Sequence, residues 1–241
     1  MIEESLKGKK IAVVAMGRSQ IDYHLSISHS QQYDEVWAIG SMCAVIAPDR
    51  AFIMDPATRF FDTFDAGPQT HVMRRTLPRL DVPIYSCEKD NRVPAIELYP
   101  LEKIINEMSC SYFNNTISYA IAFAAYNEVA TINMYGADFS YGNNVHFGEM
   151  GRGCCEFWLS KCMSRGIDIS IAATSSMLDT NIPVEEKLYG YHRLDNPPVV
   201  YIENGDMKII DSSKVEEEKV IKGFSGRTEK ITLGPPEPEV Y

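Results

Sequence analysis

The amino-acid sequence predicts an α/β protein that has a mostly parallel sheet, helices on both faces and a C-terminal β-hairpin. Short apolar runs rich in β-branched residues alternate with helix-compatible segments, as expected for strands that are buried on both faces. Glycine and polar residues follow several of these runs, where the strands would end. Two alternating runs flank Asn204-Gly205, a dipeptide typical of a tight hairpin turn.

The first 55 residues contain three strand-like runs, at residues 9–15, 34–40 and 50–55. The segment between the first two, residues 20–32, predicts a helix. Repeated strand and helix units of this kind favour a parallel, doubly wound sheet.

The remaining elements of the sheet domain follow the same alternation. Pro100 suits the first turn of a helix and Gly166 suits a helix end. The predicted helices cover residues 67–80, 100–108, 116–128 and 148–165, and the predicted strands cover residues 81–87, 95–99, 131–136 and 167–172. We therefore expect a sheet domain over residues 1–180, a hairpin appendage over 181–213, and a charged, partly ordered tail over 214–241.

Composition excludes some classes of function. The chain of 241 residues has 33 acidic and 23 basic side chains, a net charge of −10 and a pI of about 5.0. It lacks the basic surface that a tight duplex nucleic-acid binder needs.

Cysteine spacing and hydropathy indicate the compartment. Six cysteines show no Cys-x-x-Cys spacing and most lie among apolar residues, which favours buried thiols in a reducing compartment. The N-terminus lacks the apolar region of a signal peptide, and no apolar run is long enough to span a membrane. These features predict a cytoplasmic protein with no membrane partner, and they leave open whether it forms a homo-oligomer.

Two turns could hold a ligand. Gly17, Arg18 and Ser19 follow the first strand and offer backbone N–H groups, a hydroxyl and a guanidinium to a phosphate. The alternative is a plain tight turn. Asp55 follows the third strand, near Asp49-Arg50 and Arg59, where it either contacts a ligand or starts a turn before Pro56.

The start of the alanine-rich helix at residues 116–128 is unusually polar. Asn114, Asn115, Thr116 and Ser118 cluster there. One of them is expected to cap the helix. The others exceed what one cap requires, so we expect them to contact a ligand.

A polar loop follows the strand at residues 131–136. It contains Gly136, Asp138 and Tyr141 and ends at His146, one of five histidines. In a cleft, an imidazole can act as a general base or contact a phosphate; the alternative is a surface histidine without a function. The histidines lack metal-ligand spacing, so no metal site is predicted from them. Mg²⁺ held by Asp138 or Asp55 with ligand phosphates is a further alternative.

Three stretches, residues 11–19, 112–118 and 132–139, resemble a known superfamily. It joins the MptE-like 6-hydroxymethylpterin diphosphokinases with bacterial lipooligosaccharide sialyltransferases. Gly151-Arg-Gly-Cys154 is similar to a helix start in phage-encoded relatives. The resemblance implies a Rossmann-like nucleotide site, with Gly17 and Ser19 in its first turn, Thr116 and Ser118 in its second motif, and Asp138 at a strand end. His146 lies in the loop region where the sialyltransferases hold their general-base histidine, so the resemblance implies that role for His146.

Three functions follow as hypotheses. The leading one is a transferase that uses a nucleotide or nucleotide-sugar and transfers a glycosyl or diphosphate group. In this hypothesis Gly17, Arg18 and Ser19 contact phosphate, Asn114, Asn115 and Thr116 contact ribose or base, and Asp138 positions the acceptor or a metal. The alternative is a non-catalytic protein that binds a nucleotide-like ligand and acts through a partner, and a structural or assembly role is a third alternative.

Overall fold

The computed structural model describes residue 3 and residues 5–140, 144–190, 198–203, 206–211 and 214. The chain consists of two compact units, Met1–Asn181 and Ile182–Tyr241. In the second unit, helix α7 (Val184–Lys187) precedes an antiparallel pair of strands, β8 (Pro198–Glu203) and β9 (Asp206–Asp211). The Asn204-Gly205 turn predicted between these strands lies outside the described residues, as does the predicted tail apart from Lys214.

The first unit contains a sheet of seven parallel strands, which confirms the predicted α/β fold. The strands are β1 (Lys10–Val14), β2 (Glu35–Ile39), β3 (Arg50–Phe52), β4 (Ile84–Ser86), β5 (Ile96–Leu98), β6 (Thr131–Tyr135) and β7 (Asp168–Ile171). Their order across the sheet is β5-β4-β3-β2-β1-β6-β7. Because β1 and β2 are apolar and buried on both faces, they read as continuous hydrophobic runs in the sequence.

Among the described residues, six helices cover the two faces of this sheet. They are α1 (Gln20–Ser28), α2 (Ala57–Phe61), α3 (Gln69–Thr76), α4 (Leu101–Met108), α5 (Thr116–Tyr126) and α6 (Val145–Ser164). Side chains of α1, α2 and α3 share one buried cluster with alternate strand residues such as Ala12 and Val14. Those of α4, α5 and α6 share the other with Ile11 and Val13. The two faces therefore form separate cores, as in Rossmann-like folds.

Two helices, predicted over residues 20–32 and 67–80, end four residues earlier than predicted. The first ends at Ser28, two residues before Ser30 adopts a φ of 65°. In the second, a regular helix stops at Thr76 and continues as a 3-10 turn over Leu77–Arg79, because Pro78 has no N–H for the helical bond. No helix in the described part of the chain combines the length and the apolar character required to cross a membrane.

The cysteines are free thiols of differing exposure. Cys43, Cys154, Cys155 and Cys162 are buried, whereas Cys87 is exposed. Burial raises the pKa of the Cys43 thiol to about 11 and that of Cys162 to about 12. The buried thiols are therefore protonated at neutral pH and serve as small apolar side chains.

Candidate functional site

The strand order places a topological switch between β1 and β6. Strands β2 to β5 extend the sheet on one side of β1, whereas β6 and β7 extend it on the other. In open α/β sheets, ligands bind in the crevice beyond the carboxyl ends of the strands at such a switch. The turn after β1, the loop after β6 and the starts of α1, α5 and α6 all belong to this edge.

A buried hydrogen-bond network ties the ends of β1 and β6 together. The backbone N–H of Ser19 donates to Asp138 Oδ2 at 2.7 Å, and the Ser19 hydroxyl donates to Asp138 Oδ1. Gly136 N–H donates to Ser19 Oγ at 2.8 Å, and Gly17 N–H donates to the Gly136 carbonyl at 2.7 Å. Ser19 is fully buried and Asp138 is 7% exposed. The Asp138 carboxylate thus lies at the start of α1, where a negative charge is favoured.

Glycine is required on both sides of this network. A Cβ on Gly17 would lie 2.6 Å from Asp138 Oδ2 and 2.5 Å from the Gly136 carbonyl oxygen. A Cβ on Gly136, whose φ is +68°, would lie 2.0 Å from the Ala15 carbonyl oxygen. The two strand ends therefore approach too closely for any side chain at these positions.

The network changes how the first predicted turn can contact a ligand. The N–H groups of Gly17 and Ser19, expected to cradle a phosphate, already have acceptors within the protein. Arg18, between them, is exposed, and no carboxylate in the described part of the chain forms an ion pair with it. Its guanidinium is therefore the group of this turn that can reach an anion.

The polar residues at the start of α5 bind this helix to α6. Asn115 Oδ1 accepts from the Ser118 N–H at 3.0 Å, and the Ser118 hydroxyl donates to the Asn115 carbonyl at 2.7 Å. Asn115 Nδ2 donates to the Gly151 carbonyl at 3.2 Å and Asn114 Nδ2 to the Met150 carbonyl at 2.9 Å. Capping and packing thus use the amides of both asparagines and the Ser118 hydroxyl. Thr116, the first residue of α5, is half-buried at the same edge.

The residues around β3 do not form one site. Arg50 begins β3 and is buried at the amino edge of the sheet. Asp55 follows the strand at the carboxyl edge, where its Oδ1 lies 2.6 Å from Arg59 Nη1. Arg59 also lies 3.2 Å from Asp65. Asp55 is therefore paired within its own loop, and Arg50 is at the opposite end of the sheet.

A pocket of about 400 Å³ lies beyond the end of β6. Its polar lining comes from three segments, the loop after β6, the first turns of α6 and the loop after β7. These residues are Asp138, Ser140, Glu149, Arg152 and Ser176. Its apolar lining comes from Phe139, Val145 and Gly148. Two hydroxyl groups fix the loop, because Ser140 and Ser176 both donate to the Asp138 carbonyl.

The Phe139 ring determines how α6 packs against this loop. Phe139 has a φ of 52°, which is unusual for a residue with a bulky side chain. A Cβ on Gly151 would lie 2.7 Å from its ring. The glycine in Gly151-Arg-Gly-Cys154 is therefore needed where the ring crosses α6.

His146 lies on a helix, whereas the sequence predicted that it lies in a loop. Helix α6 begins at Val145, because the Asn144 side chain caps it by accepting from the Phe147 N–H at 3.2 Å. His146 is exposed on the first turn and is not among the residues that line the pocket. Tyr141, predicted in the same segment, lies outside the described residues.

Sequence reasoning missed Ser176 as part of this site. It follows β7 in Thr174-Ser175-Ser176, a polar cluster at a strand end of the kind that marked the other turns. Within the described ranges, no three histidine, cysteine, aspartate or glutamate side chains are grouped to hold a metal ion.

Comparison with known proteins provides no family for this chain. No protein-family model matches it. A search of curated proteins also finds no match.

Proposed function

We propose that the protein is a cytoplasmic transferase that uses a nucleotide or nucleotide-sugar, as the resemblance to the MptE-like and sialyltransferase superfamily implies. The observation that carries the proposal is the topological switch between β1 and β6, with a pocket of about 400 Å³ beside it. Pockets of this size accommodate small organic ligands.

The donor is assigned to the side of the crevice between the β1 turn and α5. There the exposed guanidinium of Arg18 contacts a phosphate, and Thr116 contacts the ribose or base. A guanidinium is well suited to phosphate oxygens, because it donates several hydrogen bonds and carries a permanent charge. Mg²⁺ bound with the nucleotide is compatible with this assignment, since Mg²⁺ requires few protein ligands.

Asp138 stands between the donor side and the pocket. Its carboxylate is bonded to Ser19, and its residue lines the pocket. We assign it the role of positioning the two substrates. Rate enhancement then arises from alignment and charge stabilisation, without a covalent nucleophile.

The second candidate function is non-catalytic binding of a nucleotide-like ligand. One observation favours it, because the proposed general base, His146, is exposed and does not line the pocket. To separate the two functions, each nucleotide-sugar that binds is incubated with the protein and small acceptors. Mass spectrometry then detects any product. A transferred group supports the transferase, and ligand binding without product after long incubation supports the binding protein.

Replacing Arg18 tests the donor site. A thermal-shift screen of nucleotides, nucleotide-sugars and pterins, with and without Mg²⁺, identifies a ligand. Calorimetry then compares wild type with Arg18→Ala. We expect binding to weaken by about 1 to 3 kcal/mol, since a charge-assisted hydrogen bond is lost. Arg75→Ala is the control, because Arg75 is also exposed but lies near the end of α3. An unchanged dissociation constant in Arg18→Ala excludes this donor site.

A further inference from the structure

The pocket beyond β6 has an acidic environment. Asp138 and Glu149 both line it, and Arg152 is the one cation among its described lining residues. Glu149 is exposed on α6, and no described basic side chain forms an ion pair with it. A ligand in this pocket therefore faces at least one carboxylate that no protein cation neutralises.

Arg152 does not reverse this acidity. Its Nη1 lies 3.1 Å from Asp179, and its Nε lies 3.6 Å from Glu156. Nη1 also donates to the Ser176 carbonyl at 3.3 Å. Two carboxylates thus oppose a single guanidinium before any ligand enters. An anion in the pocket would be close to more negative than positive charge, which is unfavourable.

The other lining groups suit a molecule with hydroxyl groups. Ser140 and Ser176 can accept hydrogen bonds while donating to the Asp138 carbonyl. The carboxylate of Glu149 accepts hydrogen bonds from hydroxyl or ammonium groups. Phe139, Val145 and Gly148 supply the apolar part of the lining. An apolar patch among several hydrogen-bonding groups matches a molecule that has an apolar ring face and a polar rim.

We infer that this pocket binds the acceptor of the transfer, a sugar-sized polyhydroxyl molecule that is neutral or carries an amine. The inference rests on the proposed function, which places the anionic donor on the Arg18 side of Asp138. The two substrates then occupy regions of different charge. Glu149 determines specificity in this arrangement by excluding anionic acceptors.

Three pyranoses of similar size test the charge preference without any nucleotide. Glucosamine at a pH where its amine is protonated, glucose and glucuronate are titrated into the full-length protein by ligand-detected NMR. Glucosamine should bind most tightly and glucuronate least. Equal or tighter binding of glucuronate, or no binding of any of the three, overturns the inference.

Substitutions at Glu149 connect this preference to the pocket. Glu149→Lys should weaken glucosamine binding by about fivefold or more and strengthen glucuronate binding, since a charge-assisted contact is replaced by repulsion. Glu149→Gln should show an intermediate loss. Glu102→Lys, at an exposed glutamate on α4, makes the same change in net charge away from the pocket and should alter neither ligand. If Glu149→Lys behaves like Glu102→Lys, the assignment to this pocket is wrong.

The outcome is separable from that of the proposed function. Nucleotide binding that depends on Arg18, together with the wrong order of pyranoses, overturns the acceptor class alone. The expected order without nucleotide binding supports the chemistry of the pocket and overturns its part in a transfer reaction.

Discussion

The two edges of the parallel sheet differ in their charged residues, although Asp55 and Asp138 at the carboxyl edge are also held by partners within the protein. At the amino edge, Glu35 begins β2 and Arg50 begins β3, and both side chains are buried. Arg50 Nε lies 2.7 Å from Glu35 Oε2, and Arg50 Nη1 lies 2.8 Å from Glu3 Oε2. At the carboxyl edge, Arg18 and Glu149 are exposed and form no ion pair with another described residue.

The charged side chains at the amino edge form one hydrogen-bond network. Glu35 also accepts from the Trp37 indole at 2.8 Å and from Lys9 at 3.0 Å. Burial alone would raise the pKa of Glu35, but hydrogen bonds from Arg50, Trp37 and Lys9 outweigh it and lower that pKa. Its charges therefore serve structure, whereas the carboxyl edge retains charged groups that can meet a ligand.

The largest expected effect comes from forcing the carboxyl edge apart. Gly136→Ala should destabilise the protein by more than about 4 kcal/mol, or prevent folding, since the new Cβ meets the backbone of Ala15, directly after β1. Gly166→Ala is the matched control, because Gly166 has a φ of +79° but nothing lies within 4 Å of its Cβ position. Gly166→Ala should lower the free energy of unfolding by only about 1 to 2 kcal/mol, because of backbone strain. Urea unfolding measures both, and equal losses would show that the close approach to β1 is unimportant.

A smaller effect is expected from breaking the amino-edge network. Arg50→Ala leaves Glu35 buried without its main partner, which should cost about 3 to 5 kcal/mol in free energy of unfolding. Arg75→Ala, which removes an exposed arginine, should stay within about 0.5 kcal/mol of wild type. Urea unfolding at neutral pH measures both variants. A loss in Arg50→Ala no greater than in Arg75→Ala would remove the distinction between the two edges.

The smallest effect is expected in the stability of the protein at acidic pH. Because the pKa of Glu35 is lower in the folded state, the unfolded chain takes up this proton first as the pH falls. The stabilisation is complete above the unfolded value of about 4.3 and is lost as the pH falls through the folded pKa. Glu35→Gln should therefore flatten the acid limb of the stability profile measured by urea unfolding, whereas Glu102→Gln should leave it unchanged. An identical acid limb in Glu35→Gln and wild type would contradict this contribution.

The sequence predicts the fold better than the site, for a physical reason. Apolar runs such as residues 9–15 report burial on both faces, which is a local property of each strand. The bonds of Ser19 to Asp138 and of Asn114 to the Met150 carbonyl span 119 and 36 residues. Nothing in the local pattern distinguishes a hydroxyl or amide that binds a ligand from one that binds a distant part of the same chain.

Some features were nevertheless accessible from local sequence. Asn144 precedes the first turn of α6 and is a preferred capping residue, so the earlier helix start could have been predicted. The pairing of Arg50 with Glu35 could not have been predicted, because the neighbouring Asp49 and Asp55 were equally available in the sequence. Strand order decided it, by placing the starts of β2 and β3 side by side.

The position of β1 has a consequence for synthesis of the chain. Strand β1 pairs with β2 on one side and with β6 on the other. A ribosome releases the N-terminal half first, so one edge of β1 stays without its native neighbour until Tyr135 has left the exit tunnel. During that interval the nascent chain carries an open strand edge at its centre, the kind of surface that chaperones shield and that aggregation exploits.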